Sequence, residues 1–206
     1  MQNAMKKLLV LAALVLLGTQ ARAQLSADAG YVHGFEHWKG YVAEADTNLD
    51  GVYFGGRYNL DLENILDGLS FLPGANLSLM FGNSPISGMS ARELAFNLPL
   101  TAAYSYEFTD EFKLLGLAGP EVQFGLMHGI SHKSAGTSYD MYNNNNGSGL
   151  GYRNRVNLAF QLGIGVEAAE RVRVTIGLSL GLLNLNAIQD QRLHRNTLTI
   201  GGAYLF

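Results

Sequence analysis

Three observations predict an all-β chain, folded as an eight-stranded antiparallel up-and-down barrel that spans a membrane. Apolar and polar residues alternate with a period of two over long stretches. One such stretch sets Val172, Val174, Ile176, Leu178, Leu180 and Leu182 against Arg173, Thr175, Gly177, Ser179 and Gly181. The chain carries 25 glycines among 206 residues and is only 15% charged. It opens on an export-type segment. A sheet with an apolar outer face is stable in lipid only when closed, because hydrocarbon offers no partner to an open edge.

The export segment is 1–23. Lys6 and Lys7 precede an apolar run over 8–17, and Ala21-Arg22-Ala23 gives the A-x-A pattern of a peptidase site. The run is about ten residues, against the roughly twenty of a spanning helix. Residues 1–23 are therefore read as a signal peptide and 24–206 as one barrel domain. There is no cysteine, so packing and hydrogen bonds must close the fold. The net charge of −3 is scattered, which leaves no basic face for nucleic acid.

The first strand is expected over 25–36. Leu25, Ala27, Ala29, Tyr31, His33 and Phe35 share one face, and Ser26, Asp28, Gly30, Val32, Gly34 and Glu36 the other. A polar loop over 37–48 leads to the second strand, 49–60, with Tyr53, Arg57 and Asn59 inward. Residues 61–74 read as a long turn in which Leu62, Ile65, Leu66 and Leu69 have the spacing of one or two turns of surface helix. The third strand is 75–83. A loop with Pro85 follows over 83–91.

The fourth strand, 92–108, sends Leu94, Phe96, Leu98, Leu100, Ala102, Tyr104 and Tyr106 outward. Pro99 marks a bulge or a locally unpaired position within it. After a tight turn at 109–111, the fifth strand runs over 112–127. The longest loop, 128–152, contains Asn143 to Asn146. The sixth strand is 153–168, the seventh starts at Val172 after a turn at 169–171, and 184–191 is a loop. The eighth closes the chain on Tyr204 and Phe206.

An even strand number puts both termini on one side, periplasmic for an exported barrel. Short turns then fall on that side and long loops outside, with 61–74 as the exception. Eight strands leave an interior that side chains fill. The inward set holds Asp28, Arg57, Glu93, Glu107, Lys113, Glu121, Gln123, Arg155, Gln161, Glu167, Arg173 and Arg195. Acids and bases together predict a plug of ion pairs and hydrogen bonds, with a narrow proton or ion path as the alternative. Tyr104, Tyr106, Phe108, Phe112, Tyr204 and Phe206 form an expected aromatic girdle.

The segment from Leu94-Ala-Phe-Asn-Leu-Pro-Leu to Gly119-Pro-Glu-Val-Gln-Phe-Gly125 resembles the PorT-type outer-membrane β-barrel domain of Bacteroidetes, among the small OmpX/OmpA-like barrels. Tyr204-Leu-Phe206 resembles the C-terminal signal read by the barrel-assembly machinery. The resemblance implies an eight-stranded barrel in a Gram-negative outer membrane. It also implies lipid and the assembly machinery as partners and, in some members, a place in a secretion or assembly complex.

Candidate chemistry is sparse. His132-Lys133-Ser134 is an H-x-S arrangement in which His132 could activate Ser134, as in a lipid A deacylase. No orienting acid stands where one is needed; Asn146 occupies that place, and Asp140 and Glu121 are the nearest substitutes. The histidines His33, His37, His128, His132 and His194 match no zinc spacing. The expectation is a non-enzymatic barrel without cofactor or metal, whose loops meet a partner.

Overall fold

Period-two alternation commits each long segment to an extended strand with one wet and one oily face. In the computed structural model the strands pair into a ring. The structure describes residues 23–41, 44–83, 89–109, 111–132, 137–142, 152–188 and 190–206. The expected signal peptide up to residue 22, Ser134 and the asparagine run 143–146 lie outside these.

Nine strands occur among the described residues: β1 Ala23–Lys39, β2 Glu44–Asp61, β3 Leu69–Asn83, β4 Met89–Thr109, β5 Phe112–His132, β6 Thr137–Asp140, β7 Val156–Ala168, β8 Val172–Gly181 and β9 Arg192–Leu205. Every pairing is antiparallel. Each long strand pairs with its sequence neighbours, β5 passes over β6 to pair with β7, and β1 pairs with β9 to close the ring. Eight strands make the barrel, as the alternation predicts. The short β6 only folds back on the end of β5, pairing residues 129–132 with 137–140.

Several boundaries differ from the expectation. The 61–74 turn shrinks to 62–68, because β3 begins at Leu69. Its helical spacing yields a single turn, with Ile65 and Leu66 amides both donating to the Leu62 carbonyl, and Gly68 at φ 75° reverses the chain. The 37–48 loop is mostly hairpin, paired up to Lys39 and Glu44. Above the apolar band water bathes both faces, so strands continue there without alternating. Pro99 carries no bulge, but ladder pairing with β3 lapses at residues 98–99, so the position is locally unpaired. The β4–β5 register shifts at Leu94/Ala95, where β5 gains a residue, and again at Glu107/Thr109.

The outer wall carries the apolar side chains. Val52, Ile164, Ile176 and Tyr106 are 57%, 67%, 46% and 61% exposed. Along β8 and one residue beyond it this stripe extends from Val172 to Leu182. At about 3.3 Å per residue and a tilt of about 40° it is about 25 Å tall, the apolar height of a lipid-embedded barrel.

Inside, two small apolar clusters separate polar layers: Val32, Leu49, Tyr53, Met80 and Ala91, and Leu72, Ala103 and Leu117. Tyr53 lies across the lumen against Gly201, where any Cβ would collide with its hydroxyl.

Candidate functional site

The inward face of the ring builds a layered polar plug. At the loop end, four buried charges interlock. Glu36 accepts hydrogen bonds from Arg153 Nη2 at 2.5 Å and Nη1 at 3.1 Å, and from Arg195 Nε at 2.7 Å. Glu93 accepts from Arg195 through both guanidinium nitrogens Nη1 and Nη2, and from the His128 Nδ1 side at 2.7 Å. Arg153 lies 3.5 Å from Glu93. Two carboxylates and two guanidiniums balance in charge, which is what makes their burial tolerable.

Below them amides and hydroxyls dominate, around the single carboxylate of Glu121. Asn97 donates to Asn76 and Ser78, Asn157 to Gln123, and Thr101 to Gln161. Ser179 Oγ donates to Glu121 at 2.5 Å. Near the termini end, Arg57 pairs with Asp28 at 2.8 Å and Arg173 with Glu167 at 2.6 Å. Among the described residues the interior holds cavities of about 30 and 10 Å³ around Tyr53 and Arg57. Both are of the size of one or two waters, so this is a packed interior.

Most of the expected inward residues take part: Asp28, Arg57, Glu93, Glu121, Gln123, Gln161, Glu167, Arg173 and Arg195. Two do not. Arg155 precedes β7 and is exposed. It donates to the Gly125 and Leu126 carbonyls and stacks 4.7 Å above Tyr142, because inward parity holds only while the backbone is extended. Glu107 is exposed at the termini rim, opposite Lys113 in the β4–β5 ladder. It pairs there with the half-buried Lys113 at 2.9 Å.

Of the other members, Glu36 has inward parity at the far end of its expected strand, where it stands opposite Arg195 of β9. Arg153 reaches inward from a bridge to Asn186 outside the regular strand. His128 would face outward by the parity of Phe124 and Leu126. The β5 bulge leaves Leu126 and Met127 both exposed and turns His128 in. An aromatic lid completes this end. Tyr142 sits against Gly125 and edge-on to His128, with ring centroids 6.0 Å apart.

His132 lies in β5, opposite Met89 and Thr137. Its proposed partner Ser134 is outside the described residues. The other histidines occupy separate places. On the outer wall, His33 binds Asp50 at 2.5 Å and His37 binds Asp46 at 2.7 Å. Tyr31 also hydrogen-bonds Asp50. Among the described residues no three His, Asp or Glu side chains converge in a metal-holding group.

At the termini end Tyr204 and Phe206 are exposed and meet edge to face at 5.2 Å. The aromatic girdle residues Tyr104, Tyr106, Phe108 and Phe112 are exposed on the same rim.

Comparison with solved structures shows the fold. The chain is similar to the attachment invasion locus protein Ail of Yersinia pestis, with TM-score 0.50 and 14% identity over 89% of this chain and 99% of that one. Neisserial surface protein A matches over 91% of this chain and 100% of that one, with 11% identity and TM-score 0.47. No protein-family model matches, and no curated protein matches.

Proposed function

We propose that this chain is a non-enzymatic barrel of a bacterial outer membrane, of the PorT type, that presents its loop end as a contact surface. The termini face the periplasm, and the plug makes the barrel a closed scaffold. One observation carries the reading: the β1–β2 hairpin rises past the apolar band and is fastened to the loop before β9. Trp38 Nε1 donates to Gln191 at 3.2 Å, and the Tyr41 hydroxyl donates to Asp190 at 2.8 Å. The Tyr41 hydroxyl is made less acidic by that carboxylate. A rigid wall holding a braced polar ridge is the arrangement in which loops act as binding elements.

The test is affinity capture from native membranes after crosslinking. The wild type is compared with a variant carrying Trp38→Ala and Tyr41→Ala. A defined partner that is lost with the ridge supports the reading. A partner retained by that variant moves the contact to the lipid-facing wall and favours a subunit of a secretion or assembly complex. Capture of nothing by either chain removes the docking role.

A further inference from the structure

Among the described residues the interior holds five carboxylates, Asp28, Glu36, Glu93, Glu121 and Glu167, and four guanidiniums, Arg57, Arg153, Arg173 and Arg195. Eight of the nine are matched. Glu36 and Glu93 share Arg153 and Arg195, Asp28 has Arg57, and Glu167 has Arg173. Glu121 is the remainder. It is 6% exposed, it accepts from Ser179, and no cationic side chain forms an ion pair with it among the described residues. His128 does not correct the balance at Glu121, since its partner is Glu93. A buried carboxylate without a counter-charge is strongly disfavoured.

Glu121 lines the interior cavity of about 30 Å³, together with Asn97, Gln123, Gln161, Thr197 and Thr199. Carboxylate, amide and hydroxyl oxygens are hard donors suited to an alkali cation. Arg57 and Arg195 also border the space, but each is engaged by its own acids, so one negative charge remains. We propose that this cavity binds one small monovalent cation against Glu121. A divalent ion would merely reverse the imbalance.

The experiment is thermal unfolding of the purified protein in detergent, in sodium chloride or in choline chloride at equal ionic strength and pH. Wild type should melt higher in sodium, saturably, by about 4 °C at a tenfold excess over its Kd. Glu121→Gln keeps the shape and removes the charge, and its melting should be the same in both salts. Thr199→Val keeps the carboxylate and should weaken the sodium response. Equal melting of wild type in both salts overturns the proposal, as does an undiminished sodium effect in Glu121→Gln. An infrared band of a protonated carboxylic acid in wild type, absent from Glu121→Gln, also overturns it, because a proton then balances the charge.

Discussion

Arg153 and Glu36 stand 117 positions apart in the chain and meet through two buried hydrogen bonds, of 2.5 and 3.1 Å. The join ties the segment before β7 to the top of β1, across the lumen. Removing one partner strands the other charge. Arg153→Met should cost about 3 kcal/mol, and Glu36→Gln should cost a similar amount. The double variant should lose less than the sum of the two. Denaturant unfolding in detergent measures all three.

Gly125 leaves room for Tyr142, whose hydroxyl would collide with any side chain there. Gly125→Val should therefore expel Tyr142 while the transmembrane strands keep their pairing. The expected result is faster proteolysis between β6 and β7, with unchanged far-ultraviolet dichroism. Unchanged cleavage would show that Tyr142 is not what holds this segment.

The β7–β8 turn places Ala169 and Glu170 at φ 49° and 56°, with the Arg171 amide donating to the Ala168 carbonyl. Both central residues adopt a conformation that suits asparagine and glycine. Replacing Ala169-Glu170 by Asn-Gly relieves that backbone cost and should stabilise the barrel by about 1 kcal/mol. Lys113 loses only a 3.5 Å rim contact with Glu170, which contributes little.

His132 and Ser134 supply a direct check on the non-enzymatic reading. Purified wild type incubated with lipid A should release no fatty acid. Release that disappears in Ser134→Ala would replace the docking role with hydrolysis.

The strand parity was legible because lipid and the plug impose opposite demands on neighbouring residues. Ile164 and Gly165, or Val174 and Thr175, announce which side each faces. Where that contrast ends, the signal ends. Trp38 and Glu44 lie in a paired hairpin, yet both faces meet water, so nothing alternates. Phe71 and Leu72 do alternate in surroundings, but they are masked by the helical spacing of Leu62, Ile65 and Leu66. His128 was hidden by a one-residue bulge, which no periodicity can locate. The alternation extends a strand over Arg153, which lies before β7, and points Arg155 into a plug it does not reach. The ion quartet depends on four separate segments, so only pairing in three dimensions reveals that Glu36 belongs with Glu93.

The seam between β1 and β9, fourteen residues long, has a consequence for how such a molecule is made. Every other junction of the wall can zip up as successive hairpins emerge. This one must wait for the farthest strand to arrive. A chain halted before β9 is thus no smaller cylinder but a curled ribbon with two raw margins, unfit for oil and prone to stick to its neighbours. Only the β1–β9 pairing removes both margins at once.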